Sequence, residues 1–161
     1  VVISKTVKLI RFEKGNADNQ VLVKTEETQV YTCRKYRTEV PVAELYNDNE
    51  TIDDIEIRVD SRKRNSSMVT CEYYNRDGIF YSDEHICYFS LPISGINSKS
   101  EVTFYKTTKN PRYFTSIYFS SNLPIEEQEL KIYVPDWMKV EFKENNLAPY
   151  NIRLYKTREG G

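Results

Sequence analysis

IEIRV, residues 55 to 59, alternates without exception: Ile55, Ile57 and Val59 fall on one side of an extended chain, Glu56 and Arg58 on the other. Successive side chains of a strand point to opposite faces, so a period of two describes a strand with one dry and one wet face. The pattern returns at Leu130, Ile132 and Val134 against Glu129, Lys131 and Tyr133, and at Val140 and Phe142 against Glu141 and Lys143. It returns again at Ile152 and Leu154 against Asn151, Arg153 and Tyr155. The 13 Tyr, the 7 Phe and the many Val, Ile and Thr residues suit a pleated, half-buried surface. Helix signals are nearly absent, the best candidate being a single turn at PVAEL, residues 41 to 45, opened by Pro41.

Prolines punctuate this pattern. Pro41, Pro92 and Pro135 close apolar segments, and Pro111, Pro124 and Pro149 open new ones. None is expected inside a central strand, where it would remove a ladder donor. Turn signals stand at GNADN (15 to 19), NRDG (75 to 78), SGINSK (94 to 99), TKNP (108 to 111), SSNLP (120 to 124) and ENNLAP (144 to 149). Between these marks lie about eleven short strands, which predict an all-β fold, a two-layer antiparallel β-sandwich, with a closed barrel as the alternative. No low-complexity tract or run of like charge marks a linker, so residues 1–161 read as a single domain. A chain of this length buries roughly 70% of the surface its unfolded form exposes, enough for a core that requires no disulfide or metal staple.

Lys and Arg total 23 and Asp and Glu 24, with the signs interspersed and a net charge of −1. A sequence-blind nucleic-acid binder needs surplus positive charge to displace counterions from phosphate, so nucleic acid is excluded as a partner. Apolar runs of a few residues fall far short of the ~20 that span a bilayer, and no membrane span is expected in this chain. Val1 in place of Met suggests a processed or excised segment, with any export signal upstream.

KNPRYFTSIYF, residues 109 to 119, reads as a strand with Tyr113, Thr115, Ile117 and Phe119 on one face and Phe114, Ser116 and Tyr118 on the other. Aromatics on both faces mean either a covered central strand or a surface that meets a partner. The absence of glycine between them separates the segment from RNA-stacking platforms. Trp137, in YVPDWMKVEF, follows the strand-ending VPD, where an indole anchors the sandwich from its rim or stacks on a sugar ring. Arg112, Tyr113, Tyr118 and Trp137 are therefore the candidate partner or ligand surface.

Three cysteines, Cys33, Cys71 and Cys87, contain no CxxC pair. A tight hairpin at NRDG sets Cys71 opposite Ser82 and leaves Cys87 farther along the strand, which disfavours a Cys71–Cys87 bridge; one β-bulge would alter the parity. Buried free thiols are the expectation. The single histidine, His85, lies two residues from Cys87 in a predicted strand, on the same face and about 7 Å away at the Cα atoms, too far for a direct thiol–imidazole bond. Asp83 and His85 could share a metal while Glu84 points away, but two ligands make no site. The acid pairs Asp53 with Asp54 and Glu126 with Glu127 read as solvated strand ends rather than glycosidase carboxylates, which must straddle a substrate bond. No phosphate loop, dinucleotide fingerprint, HExxH or GxSxG occurs. Neither catalytic residues nor a cofactor nor a metal is expected, and a hydrolase built on Asp83, His85 and Cys87 is the one catalytic alternative.

YSDEHICYFSLP (81 to 92), EVTFYK (101 to 106), the PRYF segment (111 to 114) and VPDWMKVEF (134 to 142) form a connected pattern. It resembles the domain of unknown function that stands N-terminal to the catalytic core in bacterial transglutaminase-like proteins, many from Bacteroides and its relatives. The likeness covers residues 70 to 143 most closely. It implies an immunoglobulin-like β-sandwich, exported to the periplasm or cell surface, that precedes a separate papain-like domain carrying Cys, His and Asp. Those catalytic residues belong to the downstream domain and have no counterparts here. The resemblance thus points to a noncatalytic accessory module partnered by a transglutaminase-like domain of the same polypeptide. A carbohydrate- or peptide-binding sandwich using its tyrosines and Trp137 is the alternative.

Overall fold

The computed structural model describes residues 1–75, 82–114, 116–119, 121–145, 147, 151–153 and 155. Among these, nine strands form two layers: β1 (Val2–Lys14), β2 (Val21–Thr32), β3 (Thr38–Tyr46), β4 (Glu50–Val59), β5 (Arg62–Arg64), β6 (Thr70–Tyr73), β7 (His85–Ile93), β8 (Lys99–Thr108) and β9 (Gln128–Tyr133). A six-stranded sheet has the order β5-β4-β8-β2-β1-β9, and a three-stranded sheet the order β3-β7-β6. The all-β sandwich expected from the alternation is the fold. One pair departs from the antiparallel rule: β9 runs parallel to β1, with Thr6 opposite Gln128 and Arg11 opposite Tyr133.

The alternating residues build the core. Ile55 and Ile57 of β4 and Val102 and Phe104 of β8 pack in one buried cluster with Val40 and Val42 of β3 and Cys87, Phe89, Leu91 and Ile93 of β7, and Val59 of β4 is buried as well. Ile3 of β1, Tyr31 of β2 and Cys33 close one side of this cluster. Each fully buried Leu, Ile or Phe contributes roughly 1.5–3 kcal/mol of transfer free energy, so this two-sided apolar seam is the main force holding the layers together. Two register shifts, between Ile3 and Lys5 of β1 and between Ile52 and Asp54 of β4, mark bulges. The β4–β5 connection is a two-residue turn with Asp60 and Ser61 both at positive φ, 50° and 65°, the backbone form whose twist matches a hairpin.

Several local expectations fail for identifiable reasons. PVAEL lies within β3 and is not a helical turn; Val40, Val42 and Glu44 of this strand alternate inward, and pairing with β7 outweighs the local preference of Pro41 for a helix start. Pro41 and Pro92 therefore lie inside strands. β3 is an edge strand, and β6 pairs with β7 only from His85 to Tyr88, so neither proline requires a donor on its open side. The described residues of KNPRYFTSIYF form no strand. Pro111–Tyr113 is a one-turn 3₁₀ helix capped by the Asn110 side chain, whose oxygen accepts from the Arg112 N–H at 3.0 Å, and residues 116–119 are irregular. Val140, Phe142 and Ile152 are also outside any strand, because alternation without a neighbouring edge to pair with forms no ladder. Thr115, Leu154, Pro149 and most of the NRDG and ENNLAP turns lie outside the described residues. No helix among the described residues is long and apolar enough to cross a membrane.

Candidate functional site

Strand ends decide where side chains gather. β1 ends and β2 begins around the turn at residues 15–20, β8 ends opposite the start of β4 (Thr108 opposite Glu50), and β9 ends at Tyr133 beside Arg11 of β1. In the smaller sheet β3 and β6 both end opposite His85, the first residue of β7. The turn at residues 47–49 joins these two ends: the Lys109 N–H donates to Asn49 O at 2.8 Å and Lys109 Nζ to Asp48 O at 2.9 Å. One rim of the sandwich thus carries the loops of both sheets.

Tyr46, His85 and Tyr73 occupy a single cross-strand row on this rim. The imidazole stacks on Tyr46 (ring centroids 4.9 Å, planes 20° apart) and meets Tyr73 at 4.4 Å with a 38° tilt. Its Nε2 lies 3.1 Å from Asp48 Oδ1. His85 is thereby clamped by two rings and a carboxylate while Tyr73 stays 68% exposed, a solvent-facing aromatic surface with a polar edge.

The sequence-derived candidates fall partly on the same rim. Arg112 and Tyr113 sit on the 3₁₀ turn that follows Lys109, and both are exposed. Trp137 stands on the turn after β9, closed by Met138 N–H to Pro135 O at 3.0 Å, with Lys14 Nζ 5.4 Å from its ring centre. The indole is 46% exposed, so it is anchored on one side and open on the other. Tyr118 is exposed in the irregular stretch. Sequence reasoning missed Tyr46, Tyr73 and Asp48. Tyr46 was hidden by reading β3 as a helical turn, and Tyr73 pairs with His85 only because of a connection longer than NRDG suggests.

That connection also overturns the cysteine assignment. β6 and β7 are joined by residues 74–84, and the Tyr74 N–H still donates to Glu84 O at 2.8 Å. The register moves by an odd number, parity flips, and Cys71 stands directly opposite Cys87. The two form a disulfide with Cα atoms 4.1 Å apart. Only Cys33 is a buried free thiol. With Cys87 consumed, His85 has no thiol partner, and its carboxylate neighbour is Asp48 rather than Asp83. Among the described residues no group of three metal-binding side chains forms.

The acid pairs are exposed and lie near the starts of β4 and β9, as expected of solvated strand ends, and they also make local contacts. Asp53 sits at the β4 bulge, accepts from the Thr51 and Thr107 hydroxyls and lies 3.6 Å from Lys24. Burial acts to raise its carboxyl, but these donors and Lys24 outweigh it and hold the group below its ordinary range. Glu126 pairs with Arg34, and Glu127 with Lys5 at 2.8 Å. A shallow depression of about 410 Å³ on the outer face of the larger sheet is bordered by Leu9, Arg11, Lys24, Glu26, Asp54 and Tyr105. A smaller groove of about 280 Å³ opens between the layers against Tyr46, Ile52, Ile55, Val69 and the disulfide.

No family model and no curated protein matches this chain. Among solved structures it is similar to a crystal structure of a "putative nutrient binding protein" from Legionella pneumophila, with 11% identity over 66% of this chain and a TM-score of 0.37. The match spans 39% of that protein's length.

Proposed function

We propose that this chain is a noncatalytic interaction module, exported from the cell, that positions or presents substrate to a transglutaminase-like domain downstream in the same polypeptide. The observation that carries the reading is the rim. Loops and strand ends of both sheets leave Tyr73, Tyr113, Arg112 and Trp137 exposed at one end of the sandwich, with His85 immobilised between two rings, and amphipathic aromatics of this kind supply contact area at low entropic cost. The thiol nearest the histidine is spent in a disulfide, which argues for contact rather than chemistry at this rim. A disulfide also persists in oxidising compartments, supporting the periplasm or cell surface as the location. The test compares the full-length protein with a form lacking residues 1–161. The isolated chain should show no amidase or acyl-transfer activity and its removal should impair the parent; unimpaired export, stability and activity after deletion would sink the reading.

A second reading, a glycan- or peptide-binding sandwich, is favoured by the half-open indole of Trp137 beside Lys14. Titration of tryptophan fluorescence, which reports Trp137 alone, with cell-wall and host polysaccharides should then show saturation, and Trp137→Ala, with its fold intact by circular dichroism, should lose the binding seen by calorimetry. A flat titration removes it.

A further inference from the structure

We propose that the Cys71–Cys87 disulfide is a reducible latch on the rim, a substrate for thiol–disulfide exchange with a dithiol, whose opening frees β6 and with it the Tyr73 side of the histidine clamp. The two sulfurs differ in their surroundings. Cys87 is 1% exposed in the core, whereas Cys71 lies on β6, whose four residues are all exposed. β6 is the outer strand of its sheet and pairs with β7 over only Thr70 to Tyr73. On its inner side lies the groove against Tyr46, Ile52, Ile55 and Val69 rather than a packed layer. Among the described residues the strand is therefore held by four residue pairs, the Tyr74–Glu84 hydrogen bond just beyond them, the Tyr73–His85 ring contact and one covalent bond.

The exchange balances simply. A thiolate of the dithiol attacks Cys71 Sγ, the sulfur carried by the exposed strand; a new S–S bond forms as the Cys71–Cys87 bond breaks, and the electron pair leaves on Cys87 Sγ, which takes a proton from solvent. The second thiol of the reagent then displaces Cys71, leaving two protein thiols and an oxidised, cyclised dithiol. Without the cross-link the loop between the cysteines, a sequence separation of 16, is no longer closed, and local opening of β6 becomes about a hundredfold more frequent, the size expected for losing that constraint. Tyr73 leaves His85 and the groove widens. The consequence for binding rests on reading the rim as the contact surface; the exchange chemistry does not, and its test involves no ligand.

Cys33 supplies an internal control because it is a free thiol 4% exposed in the same core. The folded protein is treated with dithiothreitol in native buffer, alkylated with iodoacetamide, and followed by mass spectrometry and amide hydrogen exchange. The expected result is alkylation of Cys71 and Cys87 with Cys33 unmodified, and loss of protection on the order of a hundredfold confined to residues 70–73 and 85–88. Three results would overturn the latch: a disulfide that resists the dithiol until all three cysteines label together, a reduced protein whose β6 amides keep their protection, or a Cys71→Ser/Cys87→Val variant that does not fold.

Discussion

Glu44 of β3 and Lys106 of β8 meet across the gap between the two sheets at 2.7 Å, with side chains only 25% and 16% exposed. They stand where the inward face of β3 changes from Val40 and Val42 to polar residues and that of β8 from Val102 and Phe104 to Lys106. The pair therefore seals the apolar core beneath the aromatic rim. Burial pushes the Glu44 carboxyl above its ordinary range, outweighing the pull of Lys106. Burial also acts to lower Lys106, but the Glu44 carboxylate and its hydrogen bond hold the ammonium up.

Removing one partner should cost more than removing both. Lys106→Met leaves a half-buried carboxylate unpaired and is expected to lose about 2–4 kcal/mol, while Glu44→Leu/Lys106→Met recovers most of it. A carboxyl whose folded pKa is raised favours the native state when protonated. The deficit of the single variant should accordingly shrink as pH falls through the carboxylate range and be largest at neutral pH. Urea unfolding at pH 7 and pH 4 measures both effects, and equal deficits at the two pH values would contradict the assignment.

Phe104, 2% exposed at the centre of the seam, and Phe142, 53% exposed outside any strand, make a matched pair. Phe104→Ala is expected to cost about 3–5 kcal/mol through lost transfer energy and the cavity left behind. Phe142→Ala should stay within roughly 0.5 kcal/mol. If the alternation at 140–143 marked a real strand, the second variant would show a core-sized loss in denaturant midpoint.

What the sequence disclosed depends on how local the controlling physics is. IEIRV was legible because the three residues it turns inward are nearly or fully buried, so periodicity and burial agree within five residues. Leu130 and Ile132 were legible for the same reason, although β9 is an edge strand and buries them only in part. Three things were not legible. Pairing partners override local preference at PVAEL, where β7 makes a strand of a segment whose proline suggests a helix. Loop length is nonlocal, and the odd shift it imposes on β6 and β7 determined both the disulfide and the meeting of Tyr73 with His85. Finally, the Asp60–Ser61 turn adopts positive φ without the glycine that normally announces it. The rim was half visible: Arg112, Tyr113 and Trp137 were identifiable as exposed aromatics and a cation beside turns, but the elements that bring them to one end were not.

Tyr31 gives the clearest pH signature. Its hydroxyl donates to Gln29 Oε1, whose amide donates to Glu27 at 2.8 Å, and Glu27 is held by Lys8 at 2.6 Å. Burial first, then the Glu27 and Glu44 carboxylates, push the phenol up to about 12. An unfolded tyrosine ionises near 10, so between those values the native state keeps a proton that the unfolded state releases. The stabilisation, of order 2–3 kcal/mol, is fully present below about pH 10 and is lost as pH rises through about 12. Absorbance at 295 nm should show one late tyrosine step that disappears in Tyr31→Phe. Tyr105 is also raised, by burial and then Glu26, so the variant rather than the wild-type curve assigns the step. Should Tyr31→Phe leave the alkaline titration and the alkaline unfolding midpoint unchanged, the hydroxyl is not sealed between the sheets and the polar chain from Tyr31 to Lys8 does not form.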